Sequence, residues 1–172
     1  MSFPERTGPV DVSVLVPAKD EAENLPEFLR LCAEALGAAP FSFEVVVVDD
    51  GSRDRTALVL EAERVRNAFL TVVTHNRQRG IADALRSAGD AARGDVFVFY
   101  PADLQYLPED IPALVAPILA GRADIVTGTK QGKYEKAFVS RIYNTLCRWL
   151  FGVRVTDLNS VKAYRRDVMA NV

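Results

Sequence analysis

Four consecutive valines, Val45-Val46-Val47-Val48, constrain this chain more than any other stretch. β-Branched side chains favour extended backbone. A strand that is apolar at every position, rather than at alternate ones, must be covered on both faces. A parallel sheet with helices packed on either side meets that condition. The run opens at Phe43 and stops abruptly at Asp49-Asp50-Gly51-Ser52, a polar turn sequence.

The same alternation runs along most of the chain. Val12 to Val16 reads as a short buried strand stopped by Pro17. Asn24 then opens a helix as its N-cap, with Glu27 three residues on as a capping-box partner. Leu25, Phe28, Leu29, Cys32 and Leu36 follow at helical spacing, and Gly37 and Pro40 close it. A helix from about Asp54 to Asn67, a strand from Phe69 to Thr74 and a helix from about Ile81 to Ala92 come next. Val96 to Tyr100 is a fourth strand. Pro108 opens a helix whose apolar stripe is Ile111, Leu114, Val115, Ile118 and Leu119. Ile125-Val126 marks a fifth strand and Val161 to Tyr164 a last one. Between them, residues 130–136 read as a solvated loop. Residues 138–151 read as a helix whose apolar stripe is core, with an interfacial membrane role as the alternative. Strands alternating with helices imply a mostly parallel sheet in an α/β domain.

The chain has 172 residues, the size of one domain. Residues 1–9 are expected to form a disordered arm, and 10–172 a single domain. A formal net charge of -2 gives no polyanion-binding surface, which excludes nucleic acid as the main partner. Cys32 and Cys147 have no metal-ligand spacing and read as small core hydrophobes. His75 is the only histidine and reads as an exposed loop residue. No apolar run approaches a bilayer span, and the first nine residues lack a signal core, so the expected location is cytoplasmic or at the cytoplasmic face of a membrane.

Open parallel sheets bind ligands beyond the carboxyl ends of their strands. Those ends carry Pro17-Ala18-Lys19-Asp20-Glu21, Asp49-Asp50-Gly51-Ser52, His75-Asn76-Arg77, Asp103-Leu104-Gln105 and Gly128-Thr129-Lys130. Acidic groups placed there accept hydrogen bonds from a base or ribose, or hold a Mg²⁺ or Mn²⁺ that neutralises a diphosphate. In extended backbone Asp103 and Gln105 point to the same side. Neither a G-x-G-x-x-G nor a G-x-x-x-x-G-K-[ST] occurs at a strand end, so phosphate charge falls to a metal and to basic loop residues.

These strand ends carry a resemblance. Val14 to Leu25 resembles the V-P-x-x-N-E-x-x-N-[IL] opening of family 2 glycosyltransferases. Val47 to Thr56 is similar to their V-D-D-G-S-x-D-x-T segment, and Ala102 to Pro112 to their D-A-D-L-Q-x-x-P-E-x-I-P. Asp124 to Thr129 resembles D-[IV]-V-x-G-[ST]-R. The motifs match in order over residues 12–130, and the nearest subgroup is the dolichyl- or polyprenyl-phosphate sugar synthases. The resemblance implies a GT-A (Rossmann-like) three-layer α/β sandwich, a UDP- or GDP-sugar donor and inverting transfer. It places Pro17, Ala18, Lys19, Glu21, Asp49, Asp50 and Arg77 around the donor, and Asp103 and Gln105 at a metal. Lys130 and Arg141 would meet phosphate.

Four departures accompany it. Pro101 replaces the first acid of the D-x-D pair, and Lys130 stands in place of the family's usual arginine. Asp157 to Tyr164 is one residue shorter than D-x-x-x-G-[FL]-[KR] and lacks its glycine. The domain is expected to lack the C-terminal acceptor-side elements that family members usually carry. The expected activity is metal-assisted transfer to a polyprenyl or dolichyl phosphate, with peripheral membrane contact. A lipid phosphate is already anionic and needs no protein base; a sugar hydroxyl would need one, and Asp157 is the candidate. A non-catalytic donor-binding module and a phosphorelay receiver are the alternatives.

Overall fold

The computed structural model describes residues 9–128 and 161–169. The valine run lies in strand β2 (Phe43–Asp49), and all four valines are fully buried. β1 (Val12–Ala18) and β3 (Leu70–Thr74) flank it in parallel. β4 (Val96–Phe99) lies parallel on the far side of β1. β6 (Lys162–Arg165) pairs antiparallel with both β4 and β5 (Ile125–Thr127). The order is therefore β3-β2-β1-β4-β6-β5, with β6 the reversed strand among those described. The order in which strands are added reverses between the parallel β1 and β4: β2 and β3 are laid down on one side of β1, and β4 on the other.

The period-two alternation of strand side chains sorts the core into two layers. Val12, Val14, Val16, Val45, Val47, Val96 and Val98 pack with α1 (Leu25–Gly37), α2 (Thr56–Arg66) and α4 (Ile111–Leu119). Leu15, Val46, Val48 and Phe97 pack with α3 (Ile81–Ala91) through Ala84 and Ala88. The small alanines let α3 lie close on the sheet. Helices cover both faces, as the unbroken valines require.

α1 buries the five residues that its periodicity marks: Leu25, Phe28, Leu29, Cys32 and Leu36. Burial pushes the Cys32 thiol pKa up, consistent with a core hydrophobe. Three local expectations fail. The Asn24 side chain makes no cap bond; it donates instead to Glu21 Oε2 at 2.7 Å, while Glu27 pairs with Arg30. In α4 the expected apolar Leu119 is 41% exposed, beyond the edge of the core. Pro17 does not stop β1, which runs on to Ala18. Leu15 turns its carbonyl toward β4, accepting Tyr100 N–H at 3.0 Å. Pro17 shares that orientation, but β4 pairing has ended at Phe99, so its missing N–H breaks no ladder bond.

Glu44 is a fully buried acid inside the valine-rich strand. Its Oε1 accepts from Ser13 Oγ at 2.8 Å and Arg93 N at 2.6 Å, and its Oε2 from Arg93 Nε at 3.0 Å. Buried charge is tolerated when it is paired and hydrogen-bonded. This network ties the amino ends of β1 and β2 to the turn before β4, the edge opposite the acidic strand ends.

Candidate active site

The register sets the predicted site residues on one edge. Ala18 lies opposite Asp49, and Asp49 opposite Thr74. Asp50 N donates to Ala18 O and His75 N to Asp49 O, each at 2.9 Å. The segments that follow β1, β2, β3 and β4 therefore emerge side by side. With the last residues of β1 and β2, they carry Pro17, Ala18, Lys19, Glu21, Asp49, Asp50, Arg77, Asp103 and Gln105. Lys130, Arg141 and Asp157, and the 138–151 helix, lie outside the described residues.

The first two of these loops are stitched together. Asp20 sits in left-handed backbone, φ 56°, a conformation Asp and Asn tolerate better than other non-glycine residues. Its N–H donates to Ser52 Oγ at 2.9 Å, and its Oδ1 accepts Arg53 N at 2.7 Å. That bond from Arg53 holds the Asp20 carboxyl below its ordinary pKa. Glu21 N donates to Thr56 Oγ1 at 2.9 Å, and Ala22 N to Asp54 Oδ2 at 3.2 Å. Lys19 Nζ reaches Gly51 O at 3.0 Å, bracing the turn with its ammonium. Asp20 and Asp54 were not among the predicted site residues. Their signal, turn-forming Asp at both strand ends, is present in the sequence, but their mutual proximity is not.

Asp49 and Asp50 play different parts. Asp49 is 2% exposed, and its Oδ1 accepts Ser52 N at 2.9 Å, which shapes the turn. Asp50 Oδ1 meets His75 Nδ1 at 2.7 Å and Arg79 N at 2.8 Å, and its Oδ2 accepts Gly80 N at 2.8 Å. Burial opposes the Asp50 charge, but these bonds outweigh it and hold its carboxyl below the ordinary aspartate value. Asp50 thus adds stability above that ordinary value, and the contribution is lost as pH falls through the depressed one. His75 is not the exposed loop residue expected. It is 4% exposed, because its backbone continues β3 and its ring lies between Asp50 and Ser87 Oγ, 2.9 Å from Nε2.

The segment after β4 is a bend. Leu104 has φ 58°, and Asp103 Oδ1 accepts Gln105 N at 3.1 Å. The extended geometry expected to align Asp103 with Gln105 is absent; both side chains are exposed, and the turn brings the Gln105 amide to Asp103. Non-glycine residues in left-handed backbone cluster at functional sites. Tyr100 holds the bend from below. It is fully buried, its ring lies edge-on to Tyr106 at 6.3 Å, and its hydroxyl donates to Leu107 O at 2.6 Å. Tyr100→Phe is expected to cost about 1 kcal/mol, the net worth of one hydrogen bond. In hydrogen exchange, the amides of 103–107 should open faster in this variant while β1 and β2 stay protected.

No group of three or more His, Cys, Asp or Glu side chains gathers at one point among the described residues. In the bend, Asp103 is the only acid, since Pro101 occupies the other place. A single exposed hard carboxylate fits a Mg²⁺ or Mn²⁺ that keeps its remaining positions for water and phosphate oxygens.

Comparison with known proteins agrees with this arrangement. The model of glycosyl transferase family 2 matches residues 13–165. The undecaprenyl-phosphate 4-deoxy-4-formamido-L-arabinose transferase of Pseudomonas fluorescens (strain SBW25) is 36% identical over 163 residues, covering 92% of this chain and 48% of that protein. That of Pseudomonas aeruginosa (strain LESB58) is 37% identical over 168 residues, covering 94% and 49%. The chain spans about half the length of the curated relatives it matches. Among solved structures, glucosyl-3-phosphoglycerate synthase from Mycobacterium tuberculosis, in complex with Mn²⁺, UDP and glucosyl-3-phosphoglycerate, superposes with TM-score 0.72 at 22% identity, over 95% of this chain and 59% of that one. A mannosyltransferase from Pyrobaculum calidifontis, in complex with GDP-Man and Mn²⁺, gives TM-score 0.67 at 26% identity, over 96% and 47%. The architecture is the GT-A sandwich that the motifs imply. Among the described residues no helix is long and apolar enough to cross a membrane.

Proposed function

Because the chain belongs to glycosyl transferase family 2, we propose that it binds a UDP- or GDP-sugar at the carboxyl edge of its sheet and transfers the sugar, with inversion, to a polyprenyl phosphate. The observation that carries this reading is the convergence there of Asp49, the Lys19 loop, the Arg77 loop and the Asp103 bend. The curated relatives' named activity on undecaprenyl phosphate supports the acceptor.

In this reading Pro17, Ala18 and Glu21 wall the nucleoside, and Asp49 accepts hydrogen bonds from base or ribose. Lys19 and Arg77 stand by the diphosphate, joined by Lys130 and Arg141 from the sequence motifs. Asp103, with Gln105 beside it, would hold a divalent cation; that cation supplies Lewis-acid stabilisation of the leaving diphosphate. A phosphate oxygen of the acceptor attacks the anomeric carbon opposite the leaving group. The new C–O bond forms as the bond to the diphosphate breaks, and the nucleoside diphosphate leaves with the electron pair. The attacking oxygen is already anionic, so no side chain takes a proton. If the acceptor is instead a sugar hydroxyl, Asp157 is the candidate base. Acting on a lipid phosphate places the protein at a membrane surface, on its cytoplasmic face in the reading from sequence.

The test is transfer of labelled sugar. Incubated with labelled UDP- or GDP-sugars, Mn²⁺ and polyprenyl phosphate, the chain is expected to yield label that partitions into organic solvent. Donor binding without product from any pair would favour the non-catalytic binding module, which Pro101 also favours. The receiver alternative is set aside by the family match. The sheet order differs too, and Asp50 is held by His75 and two backbone amides.

A further inference from the structure

The β3–α3 loop brings Arg77 and Arg79 to the carboxyl edge, yet its path is fixed from a different strand. Asp50, at the end of β2, is 5% exposed. Its partners come from both ends of the loop: His75 where it begins, and the amides of Arg79 and Gly80 where it passes into α3. A carboxylate is acceptor-only, so the proton of this pair sits on Nδ1. Nε2 meets Ser87 Oγ on α3 at 2.9 Å, which ties the ring to the helix as well. Gly51, the next residue, lies so close to the Arg77–Gln78 backbone that a Cβ there would come within 2.5 Å of Arg77 C. Residues 75–80 are thus fastened at both ends by Asp50 and buttressed in the middle by Gly51. A carboxylate has about four lone-pair sites, and three are taken.

We infer that Asp50 and His75 form a buried latch that positions the Arg77 loop, and that they act on the nucleotide through Arg77 rather than by touching it. Asp50 is then a positioning residue, in contrast to Asp49 beside it. The functional half of this inference rests on the donor site proposed above; the geometric half does not.

Two measurements on the full chain separate them. In the first, UDP and GDP are titrated with Mn²⁺ into the unmodified chain, His75→Ala, His75→Asn, Arg77→Ala and the double variant. His75→Ala is expected to weaken binding about tenfold, the scale on which a support lost from around a site is felt. His75→Asn should recover most of it, because its amide nitrogen stands near the place of Nδ1. Adding Arg77→Ala to His75→Ala should cost much less than Arg77→Ala alone, since groups that act through one another are non-additive. Additive losses, or a His75→Asn as weak as His75→Ala, would overturn the action through Arg77. In the second, amide exchange at Arg79 and Gly80 is read without ligand. Protection in the unmodified chain and His75→Asn, reduced in His75→Ala, supports the latch; fast exchange in the unmodified chain refutes it. Failure of the unmodified chain to bind either nucleotide would sink the donor site, and with it the functional half, while the exchange data still decide the geometric half.

Discussion

Gly51→Ala is expected to lower stability by about 2–5 kcal/mol, from left-handed strain plus a backbone clash. Gly51 has φ +67°, and an added Cβ would stand 2.5 Å from Arg77 C and 2.6 Å from Gln78 N. Those are backbone atoms, which cannot rotate away as a side-chain tip can. Two other glycines separate the contributions. Gly121 has nearly the same φ, +66°, with nothing within 4 Å, so its alanine variant carries the strain alone, about 1–2 kcal/mol. Gly37 is equally open and lacks a positive φ, so Gly37→Ala should change stability little. For a chain of this size each kcal/mol moves the melting temperature by about 2–4 °C. Thermal unfolding should therefore rank the variants Gly37, Gly121, Gly51 in increasing loss. The Gly51 variant should also lose nucleotide affinity, because the displaced backbone is that of Arg77. A Gly51→Ala chain as stable as Gly121→Ala would mean that the loops do not pack as described.

Asp103→Ala carries the other large expected effect, on turnover. The residue is exposed, and its carboxylate bonds the Gln105 amide within the bend. Stability should therefore fall by less than about 1 kcal/mol, the range of a surface substitution that gives up one weak turn bond. If the carboxylate helps to neutralise the departing diphosphate, the rate of sugar transfer should drop about 10²–10³-fold, the scale of removing one preorganised electrostatic contact. Gln105→Ala should cost less, since a neutral amide binds a hard cation more weakly than a carboxylate does. Transfer of labelled sugar at saturating donor, alongside thermal unfolding, measures both effects. Undiminished transfer in the Asp103 variant would remove it from the site.

The sheet was legible because its signal is local. Short apolar, β-branched runs alternating with helical periodicity specify a parallel sheet without knowledge of neighbours. The carboxyl edge was legible for the same reason: β1, β2 and β4 run into Lys19-Asp20, Asp50-Gly51 and Pro101, and β3 into His75-Asn76-Arg77. What escaped depends on which residues meet across the chain. The burial of His75 follows from the β3 path and the position of α3, and Asp50 alone in sequence looks like a second Asp49. Glu44 breaks an apolar strand and is tolerated through Ser13 and Arg93, the latter 49 residues away. Pro17 reads as a strand breaker until β4 is seen to end two residues short of it. The reversed direction of β6 is set by pairing with β4 and β5, which no periodicity records. At Asp103, the assumption of extended backbone failed because the side chain bonds its own turn and Leu104 takes positive φ. The motif resemblance picked out segments that the sheet brings to one edge; it did not divide residues with free side chains from those that hold the loops.

Calorimetric titration of UDP and of GDP into the unmodified chain, each with and without Mn²⁺, tests the central claim most directly. A nucleoside-diphosphate site at this edge predicts one-to-one binding of at least one of them, with Mn²⁺ tightening it about tenfold or more, roughly 1.4 kcal/mol. Binding of neither nucleotide, with or without Mn²⁺, would contradict the account.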